Sequence, residues 1–331
     1  MIFPKLSRKR YPPRRTQTNS VTYRVRRVPY YLAHDCRKEG SVGQRLVIGQ
    51  FSDSAVIHAI RHLELDRESN LELEVTRVPS SPAQFASLRD GDIDVAITSP
   101  DNVLLYATTD NQPLGEKLDI RMLRTIDRGL GLALFSRPEF EAVSELRGTA
   151  IGVDVVRSGF ALLLFRMLDK GGVARESATF EELGATPKRL IAIQEGHASA
   201  TILNAESRIA AIDAGMREWC TSADISDSYL GTVLAVRGDF DPKVAQQLVE
   251  IWSEATRWLL ESPAAEVATV LTAANPHLGT PGYVELLRDS RFGLLLDPDV
   301  KAGDLEELCR IRREADAYAP NSDAVAALAH S

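Results

Sequence analysis

The stretch that decides the fold is residues 85–107, FASLRDGDIDVAITSPDNVLLYA, which reads as a helix, a turn, a strand, a polar loop and a second helix. Gly91 stands where a helix ends in a residue with positive φ, a conformation that glycine adopts most easily. Residues 93–97 alternate at the period of a buried strand. Ligands of open α/β sheets bind beyond the carboxyl ends of the strands. Thr98 and Ser99, which follow this strand, are therefore predicted to contact a ligand.

The same order of strand, polar loop and helix precedes this stretch. The apolar run RLVIGQF at residues 45–51 ends in Ser52 and Ser54, and helical spacing follows over residues 55–63. The first backbone N–H groups of a helix lack internal partners and favour an anion or a carbonyl oxygen. Ser52 and Ser54 are predicted either to bind a ligand there or to cap the helix, and capping alone is sufficient to explain either serine.

The second half of the chain repeats this design. A predicted strand over residues 149–155 ends in a polar turn formed by Arg157, Ser158 and Gly159, and an apolar-rich helix follows. A guanidinium at a helix N-terminus would bind an anionic ligand with help from the helix dipole. A solvated arginine at this position is the alternative.

Composition narrows the class of protein. The 331 residues suffice for two domains, and 44% of them are apolar. Residues 1–40 carry a net charge of +9 and the remainder carries −16. The acidic body argues against a nucleic-acid partner. A membrane span would need about 18 consecutive apolar residues, and the sequence contains no such run. The three cysteines are widely spaced and indicate neither a metal cluster nor a disulfide framework. His58 and His62 have the spacing of a zinc-binding pair, but without further ligands they are predicted to be surface residues.

The first 43 residues are predicted to be a basic, disordered tail, with attachment to an anionic surface as the alternative. They contain the basic start of a secretory signal without its apolar core. The expected location is therefore cytoplasmic for the sequence as it stands. It is periplasmic or at the cell surface if an export signal is missing from this start site.

Six phrases in order resemble the type II periplasmic solute-binding proteins, within them the group that serves ABC importers of nitrate, sulfonates, taurine and thiamine-pyrimidine precursors. The phrases span about residues 44–310 and read LVIGQFSDSAV, FASLRDGDIDVAITSP, SELRGTAIGVDVVRSGFALLLFRMLDKGG, ATPKRLIAIQEGHASATI, YLGTVLAVRGDF and RWLLESP. The resemblance implies an α/β fold with two lobes, each a sheet flanked by helices, joined by two crossing hinge strands. Lobe 1 would comprise residues 44–128 and 235–320, and lobe 2 residues 129–234.

The resemblance also implies a ligand-binding cleft between the lobes. The implied ligand-binding residues are Phe51, Ser52, Ser54, Thr98, Ser99, Asp127, Arg128, Arg157, Ser158, Gly159 and Thr201. The expected function is to bind a small anionic or polar organic solute as a monomeric component of an ABC importer, with a permease as partner and no cofactor or metal.

Two alternatives remain. Cytosolic enzymes of the same fold include decarboxylases of aromatic acids, and such chemistry would need an acid or base, for which His197 and Asp127 are the candidates. A ligand sensor that transmits cleft closure to a partner protein is the other.

Overall fold

The computed structural model describes residues 43–329, and over this range the chain forms ten strands and twelve α-helices. The strands are β1 (Gln44–Gln50), β2 (Leu71–Arg77), β3 (Val95–Thr98), β4 (Ile120–Asp127), β5 (Ala133–Ser136), β6 (Ala150–Val153), β7 (Thr179–Glu182), β8 (Ala200–Leu203), β9 (Arg217–Thr221) and β10 (Thr232–Arg237). The helices are α1 (Ala55–His62), α2 (Leu65–Glu68), α3 (Ser81–Asp90), α4 (Pro100–Thr108), α5 (Gly159–Lys170), α6 (Thr186–Gln194), α7 (Ala205–Asp213), α8 (Pro242–Glu261), α9 (Ala264–Ala274), α10 (Pro281–Arg288), α11 (Ala302–Glu314) and α12 (Ser322–Ala329).

The strands form two five-stranded sheets, in the orders β2-β1-β3-β10-β4 and β7-β6-β8-β5-β9. The first sheet with α1–α4 and α8–α10 is called the first lobe, and the second sheet with α5–α7 the second lobe. In each of these orders the first three strands are parallel. The fourth strand, β10 or β5, follows a crossing from the other sheet and is antiparallel to them. The chain crosses between sheets after β4 and again before β10. The predicted two-lobed α/β fold with two crossing strands is confirmed.

The two crossings lie side by side. In the first, Gly129, Leu130 and Gly131 all have positive φ, which ends β4 and delays the next strand to Ala133 instead of the predicted Gly129. In the second, a Cβ on Gly231 would lie 2.1 Å from the backbone nitrogen of Gly129. Only a residue without a side chain fits there. The second crossing rejoins the first sheet at Thr232, three residues before the expected lobe boundary at residue 235.

The longest helix, α8, packs against the first lobe through one apolar face. Trp252 of α8 is fully buried, as expected for a packing residue rather than part of a ligand cage. Strand β9 was not predicted, because Arg217–Thr221 is short and mostly half-buried and therefore lacks a clear alternation of apolar residues. The predicted tail at residues 1–43 falls, except for Gly43, outside the described residues.

Helix α11, which precedes the last helix α12, contacts both lobes. Its apolar face shares one hydrophobic cluster with α4 of the first lobe and α5 of the second. Arg312 on α11 forms an ion pair of 2.5 Å with Asp101 in the first turn of α4, and both side chains are almost completely buried. Arg166 on α5 pairs with Glu314 at 3.0 Å. The helix therefore connects the lobes outside the two crossings.

Candidate functional site

A cavity lies between the two lobes, against the crossings. It encloses about 110 Å³ that the centre of a water molecule can occupy, and roughly 10–15 Å³ of such space holds one water. A small organic molecule of several non-hydrogen atoms therefore fits. The first lobe supplies Phe51–Val56, Ile97–Ser99, Asn102, Ile126, Asp127, Thr232, Tyr283 and Leu287, and the second supplies Asp154, Ser158–Phe160, Ala185, Thr186, Arg189, Asn204 and Ala205; Leu130 and Leu294 complete the wall.

Helices from both lobes begin at this cavity. Ser99 caps α4, its hydroxyl accepting a hydrogen bond from the Asp101 N–H at 3.3 Å. Ser158 caps α5 in the same way, accepting from the Ala161 N–H at 3.2 Å. At the start of α5, the N–H groups of Gly159 and Phe160 have no helical partner and are donors on the cavity wall. The start of α4 differs, because Pro100 has no N–H and the Asp101 and Asn102 N–H groups already donate to the hydroxyl and the carbonyl of Ser99.

The starts of α4 and α5 also touch one another. A Cβ placed on Gly159 would lie 2.5 Å from the Asp101 Cβ, closer than real side chains approach. The lobes are therefore in contact beside the cavity, and the fit depends on the missing side chain at Gly159.

The loop between β1 and α1 is held by a long-range contact. The Asp53 carboxylate accepts a hydrogen bond from the Asn275 amide at 2.9 Å, and the His58 Nε2 lies 3.1 Å from it. The His58 imidazole and the Asn275 amide hold the pKa of Asp53 below its usual range despite partial burial. The Asp53 carboxylate is thus ionised and already partnered.

Replacing Asn275 with alanine is expected to lower the free energy of unfolding by about 1 kcal/mol, since one hydrogen bond to the loop is lost. The lowered pKa of Asp53 means that its contribution is present above the unfolded-state pKa and disappears as pH falls through the folded-state value. The deficit should therefore shrink in acid. Urea denaturation at neutral and acidic pH measures both effects. Asn111, whose exposed side chain makes no hydrogen bond, gives a matched control, and an equal loss in Asn111→Ala would contradict the assignment.

The second lobe contributes a buried guanidinium. Arg189 on α6 is 1% exposed and donates to the Gly184 carbonyl at 2.5 Å, the Thr186 hydroxyl at 3.0 Å and the Ile202 carbonyl at 3.1 Å. Its Nε has no partner, and no carboxylate of the described residues 43–329 lies within ion-pair distance of the guanidinium. Burial lowers the pKa of Arg189 to about 10, opposed by the charge of Asp154.

Asp127 stands where the first crossing leaves β4. Its carboxylate accepts hydrogen bonds from the Gly129 N–H at 2.7 Å and from the Thr232 hydroxyl of the second crossing. Burial raises the pKa of Asp127 to about 6, against these two hydrogen bonds. Both oxygens are therefore engaged in joining the crossings.

Eight of the residues that the resemblance implied line the cavity, and whether they bind a ligand stays a prediction: they are Phe51, Ser52, Ser54, Thr98, Ser99, Asp127, Ser158 and Gly159. Three do not line it. Arg157 is exposed, because it precedes the cap of α5. Thr201 is fully buried within β8, where its hydroxyl donates to the Gly152 carbonyl at 2.7 Å. Arg128 lies in the first crossing, and its Nη1 is buried without a partner.

Three polar residues of the cavity wall were not predicted from the sequence: Asn204, Arg189 and Asp154. Strand pairing aligns Thr201 with Ala96, since each pairs with a glycine in the neighbouring strand of its own sheet. Counting three residues further along the repeat leads from Ala96 to Ser99 and from Thr201 to Asn204. Asn204 precedes α7 and lines the cavity. The internal repeat therefore places Asn204 at the position that Ser99 occupies in the first lobe.

His197, one candidate acid or base, lies outside the cavity, with its side chain 70% exposed beside Glu195. Over residues 43–329, no group of three or more His, Cys, Asp or Glu side chains is placed to hold a metal ion. None of the helices in that range combines the length and hydrophobicity that a membrane crossing needs.

Comparison by sequence finds no matching protein-family model and no matching curated protein. Comparison by structure finds solute-binding proteins. The chain is similar to the periplasmic nitrate-binding protein NrtA of Synechocystis, with a TM-score of 0.70 and 13% identity over 86% of this chain and 85% of that one. The chain is also similar to the alkanesulfonate-binding protein SsuA of Xanthomonas axonopodis, with a TM-score of 0.69 and 17% identity over 87% of this chain and 99% of that one. For a Candida albicans protein with the generic periplasmic binding protein fold, the TM-score is 0.64 and the identity 13%, over 86% of this chain and 94% of that one. The chain therefore has the periplasmic-binding-protein fold, and the structures it resembles include the group indicated by the sequence.

Proposed function

We propose that the protein binds a small anionic or polar organic solute in the cavity between its lobes and is the solute-binding component of an ABC importer. The observation that carries the proposal is the cavity itself: two lobes joined by two adjacent crossings enclose it, with capped helix starts from each lobe on its wall. Sites of this kind have apolar walls and few polar groups. Proteins with this fold close around a ligand by hinge motion, for which the periplasmic binding proteins are the established example.

The crossings support the hinge role. Hinge residues lie at the ends of elements and absorb changes in φ and ψ. Gly129 and Gly131 flank Leu130, which lines the cavity, and both glycines have positive φ. The short crossing before β10 passes directly beside them. Rotation about this pair would open the cavity to solvent without disturbing either sheet.

An enzymatic role on the same fold is the second candidate, and one observation favours it. Asp127 is a buried cavity residue whose pKa is raised to about 6, a value suited to a general base. Its two oxygens already accept hydrogen bonds from Gly129 and Thr232, which indicates a structural part in the hinge. The ligand-binding role without turnover is therefore preferred.

The experiment is a ligand screen by thermal shift with small anions, amines and aromatic acids, followed by small-angle X-ray scattering of any hit. Binding should raise the melting temperature and reduce the radius of gyration as the lobes close. Mass spectrometry of the mixture then separates the two candidates, since an intact ligand supports binding alone and a converted ligand supports catalysis. A stabilising ligand that binds one to one without any compaction would contradict closure around the cavity.

A further inference from the structure

The charged side chains of the cavity wall restrict which solutes can bind. Among the described residues that line the cavity, three are acidic and one is basic: Asp53, Asp127, Asp154 and Arg189. Behind the wall, Glu206 adds a carboxylate whose Oε2 is buried without a partner, and Arg77, which donates to the Phe51 carbonyl at 3.0 Å, adds a positive charge that acts on Asp53 and Glu206. The wall is therefore predominantly negative, which does not match the simple anions named for the structural neighbours.

These groups differ in how far the protein already satisfies them. Asp53 is bound by Asn275 and lies beside His58, and Asp127 is bound by Gly129 and Thr232. Among residues 43–329, no lysine, arginine or histidine lies within ion-pair distance of Asp154, and its Oδ1 is buried without a hydrogen-bond partner. Burial raises its pKa, opposed by the charge of Arg189 and by the hydroxyl of Ser81. Asp154 is thus the lining carboxylate without a direct ion-pair partner.

The positive charge of Arg189 does not make the cavity wall neutral or positive. Its guanidinium is fixed by two carbonyls and one hydroxyl, and its charge acts at longer range on Asp154. The two together contribute no net charge. The net charge of the lining side chains is therefore the negative charge of Asp127 and Asp53.

Asn102 on the first lobe also has a hydrogen-bond acceptor without a partner. This residue is 5% exposed, lines the cavity and has an Oδ1 without any hydrogen-bond partner. A buried acceptor without a partner is costly unless a ligand or water donates to it. The Oδ1 of Asp154 on the second lobe and the Oδ1 of Asn102 on the first therefore each lack a donor.

We propose that the solute carries an ammonium group, which binds Asp154 and donates toward the acceptors of the cavity, and an apolar body that packs between Phe51 and Phe160. Phe51 belongs to the first lobe and Phe160 to the second, and both line the cavity. Of the anionic and polar solutes that the proposed function allows, the structure thus selects amines. This inference rests on the proposed function.

The test uses three probes with one carbon skeleton, 2-phenylethylamine, 2-phenylethanol and 2-phenylethanesulfonate, titrated into the full chain by calorimetry at pH 7. The amine is expected to bind at least tenfold more tightly than the alcohol, with the sulfonate weakest. Asp154→Asn should reduce the preference for the amine over the alcohol at least tenfold, since it removes the charge and nearly preserves the shape. Asp213→Asn, the same change at an exposed position of the second lobe outside the cavity, should leave the preference unchanged.

Tighter binding of the sulfonate than of the amine would overturn the inference while leaving the proposed function intact. So would an unchanged preference in Asp154→Asn with native circular dichroism. Absence of binding by all three probes also overturns it for this cavity. The proposed function then depends separately on the wider ligand screen and on compaction in scattering.

Discussion

Replacing Arg312 with methionine is expected to lower the free energy of unfolding by about 3–5 kcal/mol, the range found when one partner of a buried ion pair is removed. The guanidinium is 2% exposed and lies 2.5 Å from the Asp101 carboxylate. Methionine fills much of the same volume, so the loss comes from the uncompensated buried carboxylate, and from the hydrogen bond that Arg312 Nε donates to the Tyr318 carbonyl, rather than from a void. Urea denaturation at pH 7 measures the effect.

The neighbouring Arg313 provides the matched control. Its side chain is 55% exposed and lies 4.0 Å from Glu306, so Arg313→Met should change stability by less than about 0.5 kcal/mol. Burial raises the pKa of Asp101, and Arg312 opposes that rise. Without Arg312 the carboxyl binds its proton more tightly in the folded state than in the unfolded state, so the deficit should shrink as pH falls. The double variant Asp101→Asn with Arg312→Met should recover part of the loss. A deficit that is equal at both arginines would show that the ion pair does not act as described.

Replacing Gly159 with alanine is expected to weaken ligand binding about 5- to 150-fold, which corresponds to ~1–3 kcal/mol of overpacking in the closed form. The added Cβ would lie 2.5 Å from the Asp101 Cβ. Asp101 is fixed by its ion pair with Arg312, so it has no room to withdraw. The starts of α4 and α5 must separate, which moves the lobes apart at the cavity.

Scattering and calorimetry measure this effect together. The variant should have a larger radius of gyration than the parent, and should bind hits of the ligand screen more weakly. Its melting temperature without ligand should change little, because neither lobe contains the clash once the cleft is open. Gly303 has open space around its Cβ and no positive φ, so Gly303→Ala is the control. Unchanged affinity and size in Gly159→Ala would mean that the two helix starts do not meet in solution.

The fold was predictable because its signals are local. Strands such as β1 and β3 are short apolar runs with a serine one or two residues beyond their ends, and Gly91 takes the positive φ expected of a helix end. The repeat of this pattern indicated two lobes. Strand β9 was missed because its burial alternates weakly, which leaves the sequence without a period to detect.

The site was predictable only where it follows directly from a strand end. Ser99 and Ser158 line the cavity because each is the first residue beyond a strand or turn that leads into a helix. Arg189 arises within a helix, and only the packing of α6 against β8 brings its guanidinium to the cavity. Asp53 and Asn275 are 222 residues apart, and Asp101 and Arg312 are 211 apart. Contacts at such separations leave no trace in local spacing.

The position of α11 has a consequence for modularity. A single apolar cluster runs from Phe85 in the first lobe through α11 to Leu164 in the second. Each lobe has a further cluster of its own, but this one is shared, so a chimaera that exchanges one lobe between distant relatives would have to import the matching α11 with it.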